Sequence, residues 1–429
     1  MKIVVLHAGG LGDLVLVETL LASLRERYPG AHLTLVVREN VASVAALYAT
    51  PPDAVRVFTF DPYRWALPID AAIAIEPFLV SLALGPVDLF IAAELKSTWL
   101  GEVLAAFLAP KRAILCDARI AKYSELRQLL GLLGLHRNMS ASRPATVDSE
   151  HELDRYARLA DASRRTPRFR AFEPGSDQNE DPRIVVFAAG SPELKRWDDH
   201  AMREALTRIA AHHGARLVLV GSEAERAELD ALAGAGDWSA SWAVECGTVS
   251  DLPRIAAFIA GAIGYVAIDT GLAHLAAAYG VPGVTIYGGG TWPSYSPWGK
   301  ASAGVVAPLP CFRCFWDCAF DRAFCIERIG PDSVVVAFEQ AISRSREESF
   351  VNAVEAYSRG ERDILGAAST VYRAAQADRA ARLTAIVRMK NIWHRNVQRV
   401  ARRRVSTDPL RADPSHVDGV GVESIRAEE

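Results

Sequence analysis

The chain has 429 residues, of which 50% are hydrophobic and 23% charged, with a formal net charge of −3. That length suits two or three globular domains with substantial cores. The near-balanced charge excludes a global basic field for nucleic acid, and no uninterrupted apolar run reaches the ~20 residues of a membrane span.

The N-terminal "MKIVVLHAGG" reads as a strand and a turn, not as a secretory leader. The expected location is therefore the cytoplasm, where thiols stay reduced. The strand "KIVVLHA" enters the turn Gly9-Gly10-Leu11-Gly12-Asp13, and the helical stretch "LVLVETLLASLRERYP" follows. Next come strands "AHLTLVV" and "VDLFIAA", helix "STWLGEVLAAFLA" and strand "RAILCD". Such alternation predicts a parallel sheet covered by helices on both faces. "RAFEPGSDQNEDPR", from Arg170 to Arg183, reads as a linker. A second alternating set begins at "RIVVFAAGS". It continues through helix "WDDHAMREALTRIAAHHG", which Gly214 should cap, then strands "ARLVLVGS" and "IGYVAID", helix "LAHLAAAYG" and strand "VPGVTIYGG". The expected organisation is a first α/β domain over 1–170, a linker over 171–182 and a second α/β domain over 183–343. A polar helical extension without strand signal should follow over 344–404, then a disordered tail over 405–429. Residues 379–404 hold nine Lys or Arg and no Asp or Glu, with Leu383, Ile386, Trp393, Val397 and Val400 at helical spacing. This basic amphipathic stretch reads either as a peripheral contact with the inner membrane or as a helix packed on the two domains.

Glycines after a strand usually cradle phosphate, which an aspartate repels. Asp13 therefore reads either as the cap of a helix starting at Leu14 or as a working carboxylate. In the second half, "DTGLAHLAAAYGVP" places Asp269 at a strand end, Thr270 and Gly271 in a turn, and His274 on the first turn of a helix. Free N–H groups at such a helix start suit a diphosphate. His274 either faces that site or is a core histidine among alanines. "AAGSPELKRW" offers the Ser191 hydroxyl and the Lys195 charge, the latter alternatively a solvated lysine. "LVLVGSEAE" places Glu223 just past a strand, where a carboxylate can take both hydroxyls of a ribose. Three such turns on one sheet edge point to a nucleoside diphosphate. Cys311, Cys314, Cys318 and Cys325 form C-x2-C-x3-C-x6-C, consistent with a structural metal or with thiols that are free or paired.

The order of these pieces resembles glycosyltransferase family 9, the ADP-heptose:lipopolysaccharide heptosyltransferases. The resemblance rests on Gly9 to Asp13 for the family's "GxxGD", Arg25 to Pro29 for "RxxYP", and Lys195-Arg196-Trp197. It rests also on "DTGLAHLAAA" for "D(S/T)GPMHLAAA" and on Cys325 to Ile329 for "C(L/M)xxI". It spans Met1 to about Ile342. It implies a GT-B fold, with the acceptor on the N-terminal Rossmann-like domain beside Gly10 and Gly12 and the nucleotide sugar on the C-terminal one. It implies inverting transfer that requires no metal or other cofactor, with Asp13 as general base. Lys195, Ser191 and the N–H groups around Thr270 and Gly271 would steady the diphosphate, Glu223 would bind the ribose, and Asp269 and His274 would lie on the donor side. The implied reaction moves heptose from ADP-heptose to a lipid-linked or oligosaccharide acceptor, such as lipopolysaccharide core. No nucleic acid is implied. Two departures, Leu272-Ala273 for Pro-Met and Ala188-Ala189-Gly190-Ser191 for "PG(A/T)S", flank the donor pocket and leave another nucleotide sugar open. A non-catalytic nucleotide-sugar binder is disfavoured by the intact Asp13, Lys195 and Asp269. An NAD oxidoreductase is disfavoured by the incomplete first glycine turn and by Arg38 where a ribose acid should stand.

Overall fold

The computed structural model describes residues 1–63, 68–82, 84–95, 98–115, 123–136, 140–145, 147, 150–172, 182–190, 192–234, 242–248, 251–344 and 349–378. Over residues 1–366, two parallel sheets each carry helices on both faces. The N-terminal half runs β1 (Lys2–His7), α1 (Leu11–Arg27), β2 (His32–Arg38), β3 (Ala54–Phe58), α2 (Pro68–Leu82), β4 (Leu89–Ala92), α3 (Trp99–Leu108), β5 (Arg112–Ile114), α4 (Tyr123–Leu132) and α5 (Glu152–Ala160). Its strand order is β3-β2-β1-β4-β5, so β1 is central and Ile3 to His7 are all buried. Continuous burial of this kind is why the strand reads as an apolar run without alternation.

The C-terminal half runs β6 (Arg183–Phe187), α6 (Asp199–His213), β7 (Arg216–Ser222), α7 (Arg226–Gly234), β8 (Trp242–Gly247), α8 (Leu252–Ala260), β9 (Gly264–Ile268), α9 (Gly271–Ala278), β10 (Gly283–Tyr287), β11 (Ser302–Val306), α10 (Phe324–Glu327), α11 (Pro331–Ser343) and β12 (Phe350–Ala353). The order β12-β11-β10-β9-β6-β7-β8 places the reversal of winding between β6 and β9. Ligands in open α/β sheets bind at such a reversal, outside the carboxyl ends of the strands. The first sheet reverses at β1 and β4. The site is therefore fixed by topology where the ends of β1, β4, β6 and β9 approach one another.

The two halves share one apolar cluster, in which α1 residues such as Leu14 and Val17 join α9 residues such as Ala273 and Ala276. Sandwiched in this way, α1 buries every residue from Leu14 to Leu24, polar Glu18, Thr19 and Ser23 included. The small side chains of α9 allow that close approach. Gly214 does end α6, in the left-handed conformation at φ 56°.

Several elements differ from the sequence expectation. Helix α1 begins at Leu11, three residues earlier than the pattern places it, because Gly10 supplies the N-cap. The 344–404 region is not purely helical: β12 extends the second sheet by pairing in parallel with β11. It is four residues long and half-exposed at the sheet edge, so its composition carries little strand signal. Residues 359–378 are helical. Most of the expected linker, the basic stretch 379–404 and the tail 405–429 lie outside the described residues. Among the described residues, no helix is long and apolar enough to cross a membrane.

Candidate active site

Between the halves lies a cavity of about 330 Å3, walled by the Gly10–Asp13 turn on one side and by Lys195, Asp269 to Gly271 and His274 on the other. The two helix starts touch across it. A Cβ on Gly12 would meet Cδ2 of His274 at 2.7 Å, and one on Gly271 would meet N of Gly12 at 2.9 Å. Only glycine permits that approach, so these two glycines bring the two sheet edges within reach of one ligand.

Asp13 is both a helix-start cap and a residue lining the cavity. It sits at the third position of α1, and its Oδ2 accepts the Gly10 N–H at 2.6 Å, satisfying one of the unpaired donors of the helix start. It also faces the cavity. Burial pushes its carboxyl up to about 6. The Gly10 N–H and Lys195 pull the other way, while Glu152 and Asp269 add to the rise. The group is thus mainly ionised at pH 7, yet more basic than a solvated aspartate.

The turn is held from behind. His7 is buried, and its Nδ1 accepts the Gly9 N–H at 3.0 Å, while its Nε2 meets the Tyr156 hydroxyl at 3.1 Å. Burial, reinforced by Arg155, pushes His7 down to about 3, so the ring is neutral and its proton is on Nε2. Below it, Arg155 Nε donates to both Glu152 oxygens at 3.0 Å, and Arg155 Nη2 donates to the Ala93 carbonyl. The Glu152 N–H donates to the Ser294 carbonyl of the other half at 2.9 Å. A second buried carboxylate, Glu94, follows β4 beside this turn. Its Oε1 accepts from Thr98 Oγ1 at 3.1 Å, and burial pushes it up to about 7.

On the opposite wall, Lys195 Nζ lies 3.2 Å from Asp269 Oδ2 and 3.1 Å from the Asp269 carbonyl oxygen. Trp316 lies over the same ammonium, with its ring centre 5.3 Å away. Thr291 Oγ1 donates to Asp269 Oδ2 at 3.3 Å. Asp269 therefore holds Lys195 beside the start of α9, where Thr270 and Gly271 line the cavity. His274 is buried, and burial together with His151 and Lys195 pushes it down to about 3. Its imidazole is neutral, and its Nδ1 has no protein partner. Ser191 lies outside the described residues.

Glu223 differs from its expected place. It points outward and pairs with Arg226 at 2.7 Å. The carboxylate at the site is Glu225, which the sequence reading did not select. Glu225 borders the main cavity and also an adjoining one of about 330 Å3. The physical reason is the cap of the following helix: Glu225 Oε2 takes the Ser222 N–H at 2.8 Å and the Ser222 hydroxyl at 2.7 Å, which turns its side chain back over the strand end. The serine-x-x-glutamate spacing was the available signal. The adjoining cavity carries apolar walls from Leu11, Val41, Leu252, Ile255 and Leu272, with the Gly221 and Gly247 backbone at its edge.

Of the four clustered cysteines, Cys311, Cys314 and Cys318 lie in the loop before α10, and Cys325 lies in α10. Cys325 is buried and accepts from the Gly289 N–H at 3.3 Å, and burial pushes its thiol up to about 12. Among the described residues, no three cysteine sulfurs lie within 4.8 Å of one another, so the thiols as placed do not form a closed ligand set.

With two facing Rossmann-like sheets and a cleft lined in this way, the chain can be compared with known proteins. Residues 120–322 match the family model of glycosyltransferase family 9 (heptosyltransferase). Lipopolysaccharide heptosyltransferase 1 of Pseudomonas aeruginosa is 25% identical over 378 residues, spanning 79% of this chain and 97% of that protein. The fold is shared with E. coli heptosyltransferase WaaC with ADP (TM-score 0.54, 20% identity, 80% of this chain and 100% of that one). It is shared also with E. coli ADP-heptose lps heptosyltransferase II (TM-score 0.59, 16% identity, 80% and 99%). A family 9 glycosyl transferase from Veillonella parvula gives TM-score 0.63 at 17% identity, over 80% of this chain and 97% of that one.

Fold and cleft together define the architecture, GT-B, which the heptosyltransferase structures share. Within that architecture the motifs at both cleft walls, the family match and the full-length relative agree. The chain is similar to glycosyltransferase family 9, the heptosyltransferases, over residues 120–322, and to one such relative along most of its length.

Proposed function

We propose that this enzyme transfers heptose from ADP-heptose to a lipopolysaccharide-core acceptor, with inversion and without a metal. The observation that carries the reading is the juxtaposition of a raised-pKa carboxylate, Asp13, with the Lys195–Asp269 pair and the α9 N-terminus across one cavity. The acceptor enters on the N-terminal half and the donor on the C-terminal half. The adenosine takes the apolar cavity beside Leu252 and Ile255, with its ribose hydroxyls donating to Glu225. The diphosphate meets Lys195, the N–H groups at Thr270 and Gly271, and the Ser191 hydroxyl. Neutral His274, against Gly12, hydrogen-bonds there without adding charge.

Asp13 takes the proton of the acceptor hydroxyl as that oxygen attacks the anomeric carbon. The bond from that carbon to the diphosphate oxygen breaks on the opposite side, so the configuration inverts and ADP leaves. Positioning and the base supply much of the acceleration. Charge growing on the leaving diphosphate is met by fixed donors, Lys195 above all, which supplies the positive charge that a metal provides elsewhere.

The test is calorimetric titration with ADP, UDP, GDP and NAD, followed by turnover of ADP-heptose in EDTA. ADP should bind tightest, and turnover should persist in EDTA. Preference for UDP or GDP would reassign the donor. NAD binding without nucleoside diphosphate binding would overturn the reading.

A further inference from the structure

Helix α6 runs fifteen residues from Asp199 to His213, about 22 Å at the ~1.5 Å rise of a helix. At that far end two adjacent histidines reach the same carboxylate on α11. His213 Nε2 lies 3.1 and 3.2 Å from the two Glu339 oxygens, and His212 Nε2 lies 3.8 Å from Glu339 Oε2. Neighbouring side chains on a helix ordinarily point apart. Here they converge, with ring centres 4.9 Å apart, as the chain turns out of the helix at Gly214.

We propose that His212, His213 and Glu339 form a binding site for a borderline divalent ion, Zn2+ being the best fit, separate from the transfer site. The three ligand atoms lie within 4.8 Å of one another. A tetrahedral ion with ~2.0–2.1 Å bonds holds its ligands roughly 3.3 Å apart, so the arrangement needs only a small inward turn of His212. The donor set is two imidazoles and one carboxylate, with the fourth position left to water. That chemistry suits Zn2+ and related imidazole-binding ions, and not Mg2+ or Ca2+, which take oxygen ligands. A single ion pair uses one imidazole; the second is what a metal explains.

The site is partly built in advance. His213 is mostly buried and packs edge-on against Phe338, at 5.6 Å and 73°. Phe338 is itself fully buried and closes on Gly264 at the start of β9. His212 is 70% exposed and gives the ion an entry path. Toward the other end of the same helix pair, Arg208 holds Asp332 at 2.7 Å. A bound ion would therefore fasten the second contact between α6 and α11 and stabilise the C-terminal half, leaving chemistry at the cleft unchanged.

The test is calorimetric titration of the full reduced chain with ZnCl2, comparing wild type with His212→Asn and Glu339→Gln. The cysteine loop can also take Zn2+, so the readout is the difference. Wild type should bind one more Zn2+ per chain than either variant, or bind that ion at least ~10-fold more tightly, since loss of even an outer partner costs 10–100-fold. His212→Asn changes an exposed side chain and keeps the test valid if Glu339→Gln perturbs folding. Equal stoichiometry and affinity in wild type and His212→Asn would overturn the proposal. So would Zn2+ binding that is abolished by blocking the cysteines alone.

Discussion

The two strand–turn–helix junctions at the cleft share a backbone plan and differ in what they do with an aspartate. At Gly9–Asp13 the aspartate lies inside the helix, capped by the Gly10 N–H and open to the cavity. At Asp269–His274 the aspartate ends the strand before the turn and is matched to Lys195. The first junction therefore spends a helix-start N–H on its own carboxylate and presents that carboxylate to the cavity. The second matches its aspartate to a lysine and presents a cation beside a helix start that lines the cavity. A glycine turn at the end of a parallel strand is thus not in itself a phosphate site; the position of the acid relative to the turn decides which charge it welcomes.

The largest expected effect lies at the first junction. Asp13→Asn should lower turnover by ~10²–10⁴-fold while leaving ADP affinity within about twofold, because the base is lost and the donor wall is untouched. The same change should raise the melting temperature at pH 7–8. Burial lifts the folded Asp13 carboxyl from 3.8 to about 6, so its stabilising contribution is complete below about pH 4 and lost as pH rises through 6. An asparagine never acquires that buried charge. Thermal melts of both proteins across this range check the sign.

At the second junction, Lys195→Ala should lower kcat/KM by ~10²–10³-fold and weaken ADP binding in the same titration, since one fixed donor to the leaving group disappears. Next in size, Glu225→Ala should weaken adenosine and ADP roughly 10–100-fold, the worth of hydrogen bonds to a charged group. Glu223→Ala should change either by less than about twofold, because its exposed pair with Arg226 contributes little. Calorimetry with adenosine separates the two glutamates directly, and an effect at Glu223 alone would move the ribose to the other side of that turn.

Much of this site is legible in the sequence. The end of β1, the glycine turn and Asp13 follow from an apolar run breaking into glycines. Lys195 and Asp269 to His274 follow from the same pattern one domain later. What escapes the sequence is side-chain direction and remote pairing. Glu223 and Glu225 are equally plausible one-dimensional candidates, and only the reciprocal cap with Ser222 turns Glu225 toward the cavity. Arg155, Glu152 and Tyr156 support the first turn from about 140 residues away, on α5, whose short pattern resembles any amphipathic helix. The edge strand β12 and the half-exposed β3 lack the continuous apolar run that marks β1 and β9.

The most direct test of the base assignment is the pH dependence of kcat/KM for wild type and Asp13→Asn. Two other buried carboxyls, Glu18 and Glu94, are pushed up to about 7 and would titrate nearby, so the variant is essential. With Asp13 as base, log kcat/KM of the wild type falls by about one per pH unit below pH 6, where the carboxylate takes up its proton, and the residual activity of Asp13→Asn shows no such break. An unchanged break near pH 6 in Asp13→Asn would assign the proton transfer to another group and contradict the account.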